Sequence, residues 1–195
     1  MNQTIAALLF LCLSGACANP SQSAQELPSM PEPVGLSSEP QMAPTQWKER
    51  LEVLYVYKDF QGDYRLLNSF MQELLSDAQA AGIRPSGAPF GLFFDDPANT
   101  PTAELRSRLC IPVADVPSKG NLGYDVLPRS LVVYSTVRGA YSELPRVYPT
   151  LFEFMRQKGW AAAGPIREIY LTSPGSVESY DQLVAEIQIP WKPTR

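Results

Sequence analysis

Two stretches of this chain carry the same succession of apolar and polar patterns. Leu51-Glu52-Val53-Leu54-Tyr55-Val56-Tyr57 is rich in β-branched and aromatic residues and predicts a strand. Gly62 then ends a turn, and Asp63 suits a helix N-cap. Tyr64, Leu67, Phe70, Met71, Leu74, Leu75 and Ala78 recur at helical spacing and make one apolar face, which Gly82 terminates. Residues 89–94 and 105–111 predict two more strands on either side of an Asp95-Asp96-Pro97 turn. Farther along, 130–137 reads as a strand, Gly139 as a turn, 141–158 as mostly helix closed by Gly159, and 166–172 with 183–189 as a returning strand pair. Pro145 and Pro149 conflict with the early part of the second helix, because an interior proline removes a backbone hydrogen bond. That helix is expected to kink there, or to become regular only from Pro149.

The two stretches align at a constant offset of 77 residues: Gly62 with Gly139, Gly82 with Gly159, Gly87 with Gly164, and Asp96-Pro97 with Ser173-Pro174. This predicts an α+β domain of duplicated β-α-β-β modules, about 48–115 and 124–192, related by a pseudo-twofold. Antiparallel sheets would carry the helices on one face, with a groove between the modules.

Strand alternation suggests what that groove presents. In Val184-Ala185-Glu186-Ile187-Gln188-Ile189, the residues Ala185, Ile187 and Ile189 are expected to face the helices, with Glu186 and Gln188 on the opposite face. On the neighbouring strand Glu168 and Tyr170 share one face, while Ile169 and Leu171 share the other. Glu168, Tyr170, Glu186 and Gln188 are therefore expected to line one surface. Between copies, Glu186 corresponds to Arg108 and Tyr170 to Phe93, so the groove would be asymmetric in charge.

Composition narrows the chemistry. The net charge of −4 offers no electrostatic footprint for nucleic acid. Without a histidine, Cys-His pairs, Ser-His-Asp triads and His-ligated metal or haem are excluded, and no cofactor is expected. Cys110 lies mid-strand and reads as a small buried hydrophobe. Asp95 and Asp96 read as turn chemistry, with no third ligand spaced to make a metal site. Tyr64 and Tyr141 begin the two helices and are expected to pack between helix and sheet. Trp47 and Trp191 flank the domain and read as structural.

The N-terminus predicts export. Residues 5–13 are a short apolar run followed by small residues, the pattern of a secretory signal over 1–18. Two processing routes stay open. Ala16 and Ala18 suit cleavage before Asn19, whereas Leu-Ser-Gly-Ala-Cys resembles a lipobox that would leave Cys17 as a lipidated first residue. Against the second, Leu13 sits four places before the cysteine where the lipobox pattern prefers three. Residues 19–45 hold six prolines, five serines, three glutamates and no lysine or arginine, and read as an extended tether before a domain over 46–195. The product is expected in the periplasm, free or membrane-anchored as a lipoprotein.

The second module carries Gly139-Ala140-Tyr141-Ser142-Glu143-Leu144 and Gly159-Trp160, then Gly164-Pro165-Ile166-Arg167-Glu168-Ile169-Tyr170-Leu171-Thr172-Ser173-Pro174, and last Ala185-Glu186-Ile187-Gln188-Ile189-Pro190. In that order and spacing it resembles the GyrI-like small-molecule-binding domain, also the effector-binding domain of AraC-type and multidrug-sensing regulators. The likeness covers about 48–192, strongly after 124 and more loosely before; the expected leader and tether stand where the regulators carry a DNA-binding segment, a departure that puts transcriptional control in doubt. The resemblance implies a groove lined by aromatic rings with an acid on the last strand, the position of Glu186, meeting cationic or polar ligands. Tyr148, Trp160 and Tyr170 would form the walls, with Glu168, Phe93 and Arg108 beside them. The function expected is non-enzymatic binding of a small amphipathic or cationic molecule. Two alternatives are a hydrolase of strained-ring cyclopropane toxins, with Glu186 activating water, and a protein-interaction or inhibitor module.

Overall fold

The structure, a computed structural model, describes residues 39–116 and 122–194. Ten strands and two helices follow one another as β1 (Gln41–Met42), β2 (Gln46–Arg50), β3 (Val53–Gln61), α1 (Leu67–Ala80), β4 (Phe90–Phe93), β5 (Arg106–Pro112) and β6 (Gly123–Leu127). The chain continues through β7 (Ser130–Arg138), α2 (Tyr148–Gln157), β8 (Trp160–Ala162), β9 (Ile166–Tyr170) and β10 (Val184–Pro193). The architecture is α+β, as expected: an antiparallel sheet in the order β1-β7-β10-β9-β4-β5-β3-β6, with β2 also on β7 and β8 on β10.

Each helix starts where local chemistry allows. Asp63 accepts a hydrogen bond from the Arg65 amide, a short 3-10 turn covers Tyr64–Leu66, and α1 follows. Residues Tyr141–Val147 form a longer 3-10 stretch that absorbs Pro145, and α2 then begins with Pro149 in its first turn, where a missing N–H costs nothing. Gly82 and Gly159 close the helices at φ +70° and +68°, a left-handed conformation that glycine adopts without strain.

The core lies mainly beneath the helices. Leu67, Met71, Leu74 and Ala78 of α1 bury against Val56, Leu109 and Ile111. Leu144, Val147, Leu151 and Met155 bury against Val133, Val137, Ala185, Ile187 and Ile189. A third cluster of Tyr55, Phe90, Leu92, Cys110 and Leu127 occupies the other face of the sheet. That face is covered because the sheet curls. β2 passes to β3 through two residues, and β6 to β7 through two, although these strands lie on opposite flanks of the order. Links that short reach only about 11 Å from strand to strand, so the flanks fold toward each other at that corner.

One expectation shifts. The tether was expected to run to residue 45, yet β1 pairs with the end of β7 and the Ala43 amide bonds the Thr136 carbonyl. An otherwise open sheet edge takes up this extended polar segment. The expected signal, Cys17 and the rest of the tether lie outside the described residues.

Candidate functional site

The two halves of the sheet meet where β4 pairs with β9, and the register there decides what faces the helices. Gly91 stands opposite Glu168, Phe93 opposite Ile166, and Glu168 in turn opposite Ile187 of β10. Paired residues in an antiparallel ladder share a face. Since Ile187 packs under α2, Glu168 and Tyr170 lie on the helix side, together with Gly91 and Phe93.

There Glu168 is 5% exposed and sits beneath two phenols. Tyr148, the first residue of α2, donates a hydrogen bond to Oε1. Tyr170 donates to Oε2 at 3.0 Å. Burial pushes the Glu168 carboxyl up to about 7 despite both hydrogen bonds, which act to lower it. Burial likewise drives the Tyr148 and Tyr170 phenols well upward, reinforced by the neighbouring carboxylate. A carboxyl poised near neutrality accepts a cation by losing a proton, or takes a proton from water as a general base.

Two ring pairs lie on this side of the sheet, at similar spacing but different tilt. Tyr141 stands 4.9 Å from Tyr170 and Tyr64 stands 5.0 Å from Phe93, centroid to centroid. The Tyr141 hydroxyl lies 2.5 Å from the Thr172 carbonyl and 3.0 Å from that of Val184. The Tyr64 hydroxyl lies 3.3 Å from the Asp95 carbonyl and 2.8 Å from that of Arg106. These two tyrosines pack between helix and sheet, as expected. Tyr64, Phe93, Tyr141, Tyr148 and Tyr170 all keep partial exposure, so half-buried rings gather on the helix side of the sheet where the acid lies. Gly91 leaves room for it. A Cβ there would fall 3.2 Å from the Tyr170 hydroxyl and 3.0 Å from the Phe93 ring. A shallow apolar depression of about 360 Å³ near the end of α1, by Leu75, Ile83 and Ile111, lies away from these groups and carries no charged group aimed into it beyond Arg84 on its rim.

Several expected site residues are elsewhere. Glu186 and Gln188 do point away from the helices, but Glu168 and Tyr170 do not join them. Alternation along each strand was read correctly and the relative phase of the two strands was not. Ile169, taken as helix-facing, packs against the buried cluster inside the curl; both faces of the central strands are covered, so hydrophobicity does not mark the inner one. Glu186 bonds Lys48 at 2.7 Å and accepts from Gln188 at 2.6 Å. Arg108 is on that same far face, paired with Asp59 at 2.8 Å and Asp125 at 3.0 Å and stacked on Tyr57. Trp160, just past the end of α2, stacks on Trp191 at 3.7 Å with Trp47 edge-on. Cys110 is buried, Asp95 binds Arg106, and Asp96 caps its own turn. Among the described residues no three side chains are grouped to hold a metal.

Comparisons with known proteins agree with this fold. The model of the GyrI-like small molecule binding domain matches residues 46–192. The chain is similar in structure to the C-terminal domain of EcmrR (TM-score 0.69, 20% identity, 77% of this chain and 98% of that one). It spans 59% of EcmrR as seen in its complex with DNA. It is also similar to SAV2435 bound to tetraphenylphosphonium (TM-score 0.56, 12% identity, covering 77% and 94%). A hydrolase encoded by lin2189 of Listeria innocua is a further likeness (TM-score 0.53, 11% identity, covering 76% and 91%). No curated protein sequence matches the chain.

Proposed function

We propose, from the premise that this chain belongs to the GyrI-like small-molecule-binding family, that the cleft between α1 and α2 captures a lipophilic organic cation with Glu168 as its counter-ion. One observation carries the reading: a carboxyl 5% exposed, held near neutrality under two phenols, and roofed by half-buried rings. Rings supply cation–π and apolar contact, and the acid supplies charge that is worth more in a desolvated site. That SAV2435 is seen with tetraphenylphosphonium makes this cation the natural probe.

The reading includes a doubled unit as the origin of the cleft. Supporting it, glycines 77 residues apart share φ values, +136° and +147° for Gly62 and Gly139, +70° and +68° for Gly82 and Gly159. The matched hydroxyl contacts of Tyr64 and Tyr141 point the same way. It also includes export through residues 1–18 and a tether from residue 19, with Cys17 as the lipid acceptor or Asn19 as the new N-terminus. Mass spectrometry of the mature N-terminus decides between these.

The binding test is calorimetry with tetraphenylphosphonium from pH 5.5 to 8.5 in two buffers of different ionisation enthalpy. Affinity should rise about tenfold per pH unit below pH 7 and level off above it, with one proton released per cation on the acidic side. A pH-independent affinity without proton release would remove Glu168 from the account. The neutral-range carboxyl also favours a second reading, a hydrolase in which Glu168 takes a proton from attacking water.

A further inference from the structure

The far side of the β4–β9 seam holds buried charge that the cleft does not use. Arg167 precedes Glu168 on β9 and so projects to the opposite face, inside the curl of the sheet, where it is 6% exposed. Its guanidinium lies over the Phe90 ring, 3.9 Å from the centroid. Its one acceptor is Oε1 of Gln188, at a long 3.5 Å, and its Nε is buried with no partner. Arg50, at the end of β2 beside the closing corner, is 7% exposed. It donates to the Pro128 carbonyl, and its Nε too is buried with no partner.

Charge does not balance here. Among the described residues neither guanidinium forms an ion pair, and the nearby acid, Glu186, is already engaged by Lys48 and Gln188. Lys48, Arg50, Arg108 and Arg167 against Glu186, Asp59 and Asp125 leave an excess of one positive charge on this face, and Arg50 and Arg167 are its deeply buried members. Burial, and then the charge of Arg50, pull Arg167 down to about 10. Aromatic stacking offsets part of this cost, but a ring or a water molecule supplies no countercharge. What completes such a pair is an anion whose oxygens match the guanidinium fork.

We propose that Arg50 and Arg167 form an anion site inside the curled sheet, with Gln188 orienting Arg167, and that it takes the phosphate or carboxylate group of a small molecule. This site is separate from the cleft and does not depend on how the cleft is read. It also gives the domain a charge of opposite sign on each side of one strand, Arg167 facing the anion and Glu168 facing the cleft.

The test is thermal unfolding of the full chain in sodium phosphate, and separately in sodium acetate, against sodium chloride at matched ionic strength. Wild type should gain a saturable rise, about 5–10 °C at a hundredfold excess over Kd. Phosphate also stabilises proteins generally by exclusion from their surfaces, an effect that does not saturate. Arg167→Met should keep only that unsaturating part, and without added anion should melt no lower than wild type. Saturation by phosphate alone identifies a tetrahedral oxyanion, and saturation by acetate as well a carboxylate. An equal response in wild type and R167M, or none in either, overturns the proposal. Should R167M not fold, the Arg Nε–H resonances of wild type decide: phosphate must shift two of them together, and unmoved signals refute the site.

Discussion

Glu168→Gln should make the protein more stable at neutral pH, and the gain follows from the site. The carboxyl is displaced from its ordinary 4.5 to about 7, because burial disfavours the ion more than two phenolic hydrogen bonds support it. The folded state therefore holds a proton that the unfolded chain gives up between pH 4.5 and 7. Stability from this group is full below pH 4.5, falls as pH rises through that window, and is gone above pH 7. At 1.36 kcal/mol per unit the loss amounts to about 3 kcal/mol. Glutamine keeps the shape, accepts from one tyrosine and donates to the other, and never ionises. Wild type and E168Q should match near pH 4.5, then diverge until E168Q leads by about 3 kcal/mol at pH 8, or about 6–12 °C in Tm. Urea unfolding followed by near-ultraviolet circular dichroism at half-unit pH steps reads the difference, in which every other titrating group cancels. Parallel curves would refute the reasoning. So would an E168Q weaker at every pH, which would mean that the ionised acid is well solvated by its tyrosines.

Other outcomes follow from the same geometry. Tyr148→Phe removes a hydrogen bond that lowers the Glu168 carboxyl, so the midpoint for tetraphenylphosphonium binding should move above pH 7, read by a fluorescence titration at several pH values. Gly91→Ala should push the Tyr170 hydroxyl off Glu168 and weaken binding severalfold while costing about 1–3 kcal/mol of stability by denaturant titration. Leu151→Ala, deep beneath α2 at 0% exposure, should cost about 2–5 kcal/mol in the same titration without moving the pH dependence of binding. If the protein is a hydrolase, E168Q should abolish turnover of a cyclopropane substrate, followed by chromatography, whereas a binder forms no product.

What the chain disclosed before folding follows from periodicity. Helical spacing from Tyr64 to Ala78 and the glycines at 82 and 159 announced both helices and their ends, and Pro149 marked where α2 becomes regular. The short strands β1, β2, β6 and β8 went unseen because edge segments such as Gln46–Arg50 carry no apolar alternation. The proposed site was half legible. Glu168, Tyr148, Tyr170 and Phe93 were named, but Glu186 was given the leading role. The error is one of phase: nothing in β9 alone tells which of its faces meets α2, and only the pairing of Ile187 with Glu168 fixes it. A signal was available in the doubled pattern, since Glu168 falls opposite glycine in the first copy, at Gly91, where a side chain would have closed the space. Trp160 was misplaced for a different reason. Its partners Trp47 and Trp191 come from distant points in the chain, and their mutual stacking outweighs any pull toward the cleft.

The account turns on which of two glutamates meets the ligand, and one comparison separates them. The dissociation constant for tetraphenylphosphonium at pH 8 should rise at least about tenfold in Glu168→Gln, equivalent to about 1.4 kcal/mol. In Glu186→Gln, whose acid is bound to Lys48 on the other face, it should stay within about twofold of wild type. Weaker binding in E186Q with E168Q unaffected would contradict the account and return the site to the far face of the sheet.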